Sequence, residues 1–289
     1  MTTHSALGSR SMPALFVLLW ATGFIGAKFG LPYAGPMTFL AWRMGLATLL
    51  LLLVALITRA PWPPSPIAAA HVTVAGLLVH GGYLGGVFSA LSHGMTAGMV
   101  SLIVGMQPLL TALAARIVLG ETLSLRQWSG LLLGLAGLFL VLSHRISFAT
   151  LSWTSGGLAL FALVSISLGT VYQKRFYASV DLRTGGVLQY LASGLCYGVL
   201  AWAFETREVV WNATFLLALG WSVLGLSVGA VALLYRLLRR DAASRVASLL
   251  YLVPPITALI AFFCFDETLT GLAMGGMLLV ALGVALVIA

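Results

Sequence analysis

The chain has 289 residues, of which 61% are hydrophobic and only 8% are charged. This composition excludes a water-soluble globular protein, because so few charged side chains do not cover the surface of a domain of this length. The formal net charge of +8 does not indicate binding to nucleic acid, since the basic residues are spread along the chain and form no single patch. The composition instead predicts a protein whose solvent is a lipid bilayer.

Long apolar segments follow one another from the N-terminus to the C-terminus. A helix needs about 20 residues to cross about 30 Å of hydrocarbon, whereas the strands of a membrane barrel would alternate over about ten residues. The ten predicted transmembrane helices are residues 12–31, 36–57, 67–90, 96–119, 124–143, 152–177, 183–204, 211–236, 242–264 and 270–289. The predicted fold class is therefore an all-α polytopic membrane protein.

The second half of the chain repeats the first. Several residues recur in register at an offset of 146 residues: Glu121-Thr122-Leu123 and Glu267-Thr268-Leu269, Pro108 and Pro254, and Lys28 and Lys174. The predicted repeats are residues 1–146 and 147–289, which together form one transport domain of two five-helix units. Because five is an odd number, the second unit enters the membrane in the opposite orientation. Inverted repeats of this kind let many secondary transporters alternate access to a site near the midplane.

The basic residues are distributed unequally between the two sides of the predicted bundle. With the N-terminus in the cytoplasm, most Arg and Lys residues fall in inner loops and flanks, while the outer loops contain only Arg145 and Arg207. This asymmetry predicts that both termini are cytoplasmic.

His80 and Tyr83 lie on one side of the third predicted helix, and four glycines lie on the other. Glycines permit close helix packing, which leaves His80 and Tyr83 to face a cavity and bind substrate. An ionisable residue in mid-span is a functional candidate, and a neutral histidine bonded to a neighbouring carbonyl is the alternative. The glycines are Gly81, Gly82, Gly85 and Gly86.

The fourth predicted helix contains Gln107 and Pro108. Proline has no N–H to donate and crowds the preceding turn, so Pro108 is predicted to bend the helix and free a carbonyl. The Gln107 amide beside this bend offers a donor and an acceptor to a substrate. A hydrogen bond between helices is the alternative role for Gln107.

The ninth predicted helix contains Pro254 and Pro255 at the related position. Ser244 and Tyr251 fall on the face of Pro255 and are predicted to form the opposite wall of the substrate cavity. A purely structural kink at the proline pair is the alternative.

Trp20 is predicted to supply aromatic surface to the cavity, although an indole in a membrane helix often faces lipid instead. Lys28 and Lys174 lie toward opposite ends of the bundle and are predicted to act as gates. The alternative is that both lysines extend to the lipid headgroups. Arg43 is a charged residue within an apolar run, so it is expected to point into the bundle or toward an interface.

All seven acidic residues fall in predicted loops or at helix ends. No mid-membrane carboxylate is therefore predicted as a proton carrier or sodium ligand, and His80 is the only candidate proton relay. Glu121 and Glu267 are interpreted as caps of the fifth and tenth spans, where negative charge suits the helix dipole. The histidines and the two cysteines form no ligand cluster, so no metal, no cofactor and no disulfide is predicted.

Several motifs together resemble the EamA branch of the drug/metabolite transporter superfamily. They are the opening Leu19-Trp20-Ala21-Thr22-Gly23-Phe24, the Arg43 that follows Trp42, and the two proline-containing helices that each run into Glu-Thr-Leu. Over essentially its whole length, the chain is similar to the YddG group of bacterial aromatic and neutral amino-acid exporters. The resemblance implies a multi-pass protein of the bacterial inner membrane that binds a small-molecule substrate and needs no obligatory protein partner.

Three other functions fit the sequence less well. An exporter of cationic drugs on the same fold would favour an acidic residue in the cavity. A lipid-modifying membrane enzyme would need nucleophiles, metal ligands or paired carboxylates within reach of one another, and a channel would need a filter sequence or a charged ring. The inverted repeats and the kinked helices, together with what the resemblance implies, predict non-enzymatic export of aromatic and other neutral amino acids by alternating access.

Overall fold

The computed structural model describes residues 3–145, 151–177, 180–265 and 269–289. Within these ranges the chain is almost entirely helical, and its extended backbone pairs only at an isolated antiparallel bridge between Ala34 and Val209. The helices are α1 (Thr3–Ala21), α2 (Gly23–Gly30), α3 (Pro36–Ile57), α4 (Pro66–Ser92), α5 (Ala97–Leu119), α6 (Leu125–Leu142), α7 (Trp153–Phe176), α8 (Leu182–Phe204), α9 (Ala213–Arg240), α10 (Ala243–Ser248, Leu249–Leu252 and Val253–Phe265 in succession) and α11 (Gly271–Ile288).

Among the described residues, nine helices are long and apolar enough to cross a bilayer. Their bounds agree with nine of the predicted spans to within a few residues. The first predicted span, residues 12–31, is not one continuous helix, because α1 and α2 are separated at Thr22. The Thr22 hydroxyl donates to the Leu19 carbonyl at 2.6 Å and accepts from the Trp221 indole at 2.8 Å. Both contacts involve the residue at which the first predicted span is divided into two helices.

Two helices, α4 and α9, contain π-helical segments at related positions. The segment of α4 is Leu77–Gly82, and the segment of α9 is Ser222–Ala230. Adding the offset of 146 residues to the first gives residues 223–228, which lie within the second. A π-helical turn is rare and changes the partners of the backbone carbonyls. The two halves of the chain therefore share the same local irregularity.

The helices α5 and α10 are also interrupted at related positions. α5 stops at Val104 and restarts at Gln107, while α10 passes through a 3₁₀ segment at Leu249–Leu252. In both helices the next piece has a proline at its second residue, Pro108 or Pro254. Proline is tolerated there because an amide in the first helical turn has no intrahelical partner.

Two carboxylates at helix ends join the two halves of the chain. Glu205, which follows α8, accepts hydrogen bonds from the first backbone amides of α3 at 2.8 Å. Glu121, which follows α5, accepts from the Ala243 amide at 2.8 Å and from the Ser244 hydroxyl at 2.9 Å at the start of α10. A carboxylate at a helix N-terminus satisfies free amides and suits the helix dipole.

The contact of Glu121 with α10 corrects its predicted role as the cap of α6. The N-terminus of α6 is instead capped by Ser124, which forms a reciprocal capping box with Gln127. The local sequence favoured α6 because it is the next helix, whereas the fold brings the start of α10 to this loop. Glu267, the related residue, lies outside the described ranges.

The helices α6 and α11 approach so closely that their backbones touch. A Cβ atom at Gly276 would lie 2.6 Å from the carbonyl oxygen of Gly137, and one at Gly130 would lie 2.6 Å from that of Gly283. Only glycine fits at such distances, and small residues of this kind are typical of close helix contacts in membranes.

We expect Gly276→Ala to lower the thermal stability of the purified protein, because the added methyl group would overlap the backbone of α6. Overpacking of this kind costs about 1–3 kcal/mol. Gly275→Ala is the matched control, since no heavy atom lies within 4 Å of a Cβ atom placed there. Melting temperatures of both variants in the same detergent measure the difference. Equal melting temperatures would contradict the close approach of α6 and α11.

Candidate functional site

A cavity of about 620 Å³ lies between α1, α3, α4 and α9. Its wall includes Trp20 near the end of α1, Arg43 of α3, His80 and Tyr83 of α4, and Leu226 of α9. Four of these residues belong to the first half of the chain and one belongs to the second. The cavity therefore lies where the two halves meet.

A second chamber of about 380 Å³ lies beside the first and shares Trp20 and Tyr83 with it. Gln107 and Pro108 line this chamber from α5, and Pro254 lines it from α10. Four of the six residues predicted to bind substrate thus line the two adjacent chambers: Trp20, His80, Tyr83 and Gln107.

His80 and Tyr83 reach the cavity because the glycine side of α4 packs against neighbouring helices. A Cβ atom at Gly82 would lie 2.4 Å from the Ser165 hydroxyl, and one at Gly86 would lie 2.7 Å from a backbone carbonyl of α7. A side chain therefore does not fit at Gly82 or Gly86, whereas a Cβ atom at Gly81 would make only ordinary contacts. The opposite side is left to line the cavity, as the helical periodicity indicates.

His80 is held by a chain of polar groups that runs through three other helices. Its Nε2 atom lies 2.9 Å from the Tyr235 hydroxyl, which donates to Gln189 at 2.7 Å. The Gln189 amide in turn donates to Gln173 at 2.9 Å. In this arrangement the neutral His80 ring donates from Nε2 to the Tyr235 oxygen. The side chain is only 3% exposed, and the part that is open faces the cavity.

Arg43 and His80 lie on the same side of the cavity and share a set of neighbours. The Arg43 Nε atom donates to the Ser227 hydroxyl of α9 at 3.0 Å. The Tyr190 hydroxyl donates to the Ser227 carbonyl, and the Tyr190 ring lies 4.6 Å from the His80 ring, centre to centre. The sequence indicated that Arg43 points inward, but it did not indicate this site. Ser227 and Tyr190 are polar residues within apolar spans, and this feature of the sequence could have identified them as candidates.

Three residues predicted in the second half do not line either chamber. The Ser244 hydroxyl is engaged by Glu121, and Pro255 is buried within the bundle. The Tyr251 ring packs on Gly134 of α6, and its hydroxyl has no hydrogen-bond partner among the described residues. The prediction assumed about 100° of rotation per residue, whereas the 3₁₀ segment turns by about 120°. Tyr251 is not among the residues that line the two chambers, and its role in substrate binding stays a prediction.

One end of the bundle, called here the Lys174 end, is closed by cations that bind helix carbonyls. Lys174 of α7 donates to the Leu238 carbonyl at 3.1 Å and also to the Asp241 carbonyl. Arg175 and Arg239 donate to backbone carbonyls beyond their own helices in the same way. Cations are favourable at helix C-termini, where carbonyls lack partners.

The other predicted gate, Lys28, lies in α2. Its side chain is outside the described part of the structure, and its gating role stays a prediction.

The described residues contain no group of three or more His, Cys, Asp or Glu side chains that could hold a metal ion. The polar groups of the chambers are instead amide, hydroxyl, imidazole and guanidinium groups. Such a set can bind and orient a small molecule.

Comparisons with known proteins agree with a transporter of small molecules. The chain is 29% identical to the uncharacterized transporter YvbV of Bacillus subtilis, over 95% of this chain and 89% of the relative. It is 26% identical to a probable amino-acid metabolite efflux pump of Salmonella typhimurium, over 93% of this chain and 91% of the relative.

A solved crystal structure shares the fold with a TM-score of 0.80 at 19% sequence identity, covering 96% of this chain and 95% of the other. The family model of EamA-like transporters matches the chain twice, at residues 12–143 and at residues 154–289. These matches cover most of the chain, and the nine long apolar helices fit a protein of the membrane. The chain therefore belongs to the EamA-like transporter family.

Proposed function

We propose that the protein exports aromatic and other neutral amino acids across the bacterial cytoplasmic membrane by alternating access. The observation that carries this proposal is the pair of chambers between the two halves of the chain. Trp20 and Tyr83 provide aromatic surface to both chambers, and His80, Gln107 and Arg43 provide polar groups. A few polar groups among mostly apolar lining residues are typical of small-molecule pockets.

The proposal includes ten transmembrane spans arranged as two inverted repeats, residues 1–146 and 147–289. Three observations support it: the offset of 146 residues in the sequence, the related irregularities in α4, α9, α5 and α10, and the two matches to one family model. With five spans in each repeat, the second runs opposite to the first. A site between such repeats becomes accessible from each side in turn as they rock against each other.

The composition of the chambers favours amino acids over cationic drugs. No carboxylate lines either chamber among the described residues, so a substrate with only positive charge finds no counter-charge there. The aromatic rings provide apolar surface for a substrate side chain. The name of the Salmonella relative, a probable efflux pump for amino-acid metabolites, supports the direction of transport.

The charge distribution supports an orientation with both termini in the cytoplasm. Lys174, Arg175 and Arg239 gather at the Lys174 end, which the positive-inside rule assigns to the cytoplasm. The larger chamber extends from His80 toward Leu91 near the opposite end of α4. The conformation is therefore assigned as closed to the cytoplasm and directed toward the outside.

We expect proteoliposomes that contain the protein to release labelled phenylalanine faster than empty vesicles do. His80→Ala and Tyr83→Ala should each lower the release rate about fivefold or more, because the few contact residues at the buried centre of a binding site cost more than about 1 kcal/mol when truncated. His93→Ala is the matched control, since this exposed ring at the end of α4 bonds the carbonyl of Ser89 in its own helix.

Release of a labelled neutral amino acid at the rate of empty vesicles would refute the substrate class. Release of a cationic dye such as ethidium, without competition from amino acids, would favour the drug-exporter alternative. Wild-type release rates in the His80 and Tyr83 variants would contradict the placement of the substrate site at α4.

We expect Lys174→Met to open the Lys174 end more often, because the substitution removes charge-assisted hydrogen bonds between α7 and the end of α9. The measurement is maleimide labelling of a Leu238→Cys variant with both native cysteines replaced, which should become at least about threefold faster. Arg207→Met is the matched control, since among the described residues Arg207 donates to the Trp202 carbonyl at the end of its neighbouring helix and to no other group. Unchanged labelling would exclude Lys174 as a gate.

A further inference from the structure

Arg43 is a buried cation at the side of the larger chamber, and most of its donors are unused. Its side chain is only 6% exposed, and its Nε atom donates to Ser227. The Nη1 and Nη2 groups make no hydrogen bond to any described residue. A guanidinium has five N–H donors and stays charged in proteins. The four Nη donors thus have no described partner, and Arg43 lines the chamber.

The charge of Arg43 also has no counter-charge within the described part of the bundle. Glu121 and Glu205 cap helix ends, and Asp181 forms the one described ion pair, with Arg183. A buried charge that lacks both a partner and hydrogen bonds costs free energy, and an incoming anion offsets that cost. A carboxylate matches the planar fork of a guanidinium and can accept two parallel hydrogen bonds from it.

We propose that Arg43 binds the carboxylate of the substrate and that no charged group of the site recognises the substrate's amino group. This inference rests on the proposed transport function and names the substrate class of the same site. The chamber offers one cation for a carboxylate, and Trp20, Tyr83 and Phe88 for an apolar or aromatic body. The site offers no described carboxylate to an ammonium group. Aromatic monocarboxylates without an amino group therefore bind as the amino acids do.

The position of Arg43 also connects substrate binding to the two halves of the chain. Ser227, which orients the guanidinium, lies in the π-helical segment of α9, and the Tyr190 hydroxyl holds the Ser227 carbonyl. A carboxylate on Arg43 lies at the contact between α3 of the first half and α9 of the second. When a carboxylate binds or leaves, the net charge at this contact between α3 and α9 changes. The proposed alternating access requires the two helices to move relative to each other at this contact.

Binding of four related compounds to the detergent-purified protein tests the proposal without any substitution. Phenylalanine and phenylpropionate share a carboxylate, whereas phenethylamine and phenylalaninamide have an amino group and no carboxylate. The two carboxylates are expected to raise the melting temperature with apparent affinities within about threefold of each other, and at least about tenfold tighter than the two amines. Equal affinity of amines and carboxylates, or no binding of phenylpropionate, would overturn the proposal.

Three variants then assign the effect to Arg43. Arg43→Gln should weaken both carboxylates about tenfold or more, in line with the loss of hydrogen bonds to a charged group, and should leave the amines unchanged. Arg43→Lys should keep part of the affinity, and Ser227→Ala should weaken binding less because it keeps the charge. Gel filtration and the ligand-free melting temperature identify a variant that has merely unfolded. Full carboxylate affinity in folded Arg43→Gln would refute the assignment.

Transport separates this inference from the function on which it rests. If phenylpropionate binds through Arg43 but vesicles release neither phenylalanine nor phenylpropionate, the proposed transport function fails and the binding site stands. If vesicles release phenylalanine and Arg43→Gln releases it at the wild-type rate with unchanged affinity, the transport function stands and the role of Arg43 is refuted.

Discussion

A backbone group that loses its helical partner inside a bilayer has to find another partner within the protein. The structure of this chain depends on that constraint, because its central helices are irregular where the cavity lies. The Tyr197 hydroxyl of α8 donates to the carbonyls of His80 and Gly81 at 2.5 and 2.6 Å, within the π-helical segment of α4. The neighbouring helix α8 therefore stabilises the irregular backbone of α4 at the wall of the cavity.

Most charged side chains lie at the ends of the bundle, whereas the irregular backbone segments lie at the cavity. Glu205 and Glu121 bind the N-termini of α3 and α10, and Lys174 binds carbonyls at the end of α9. The two carboxylate contacts join helices from different halves, whereas Lys174 joins two helices of the second half. Arg43 lines the larger chamber, away from these helix ends. A buried charge interacts more strongly with other charges than an exposed one does.

Helical periodicity in the sequence describes regular helices better than irregular ones. It predicted that His80 and Tyr83 lie opposite the glycines of α4, and both line the larger chamber, while their role in substrate binding stays a prediction. The same reasoning on α10 placed Tyr251 in the cavity, and the 3₁₀ segment turned its ring onto Gly134. Ser227 was not predicted, since its role follows from Arg43 in the other half of the chain.

Hydrophobicity and proline positions were enough to predict the class of the protein, the order and approximate ends of the nine long helices among the described residues, and the sites of the proline interruptions. These properties depend on hydrophobicity and on the missing amide of proline, which act within a few residues. The folded structure was needed to show that Glu121 caps α10, that Thr22 divides the first span, and that Arg43 shares a cavity with His80. Such contacts join residues far apart in the chain, and hydrophobic periodicity carries no information about which helix will be the neighbour.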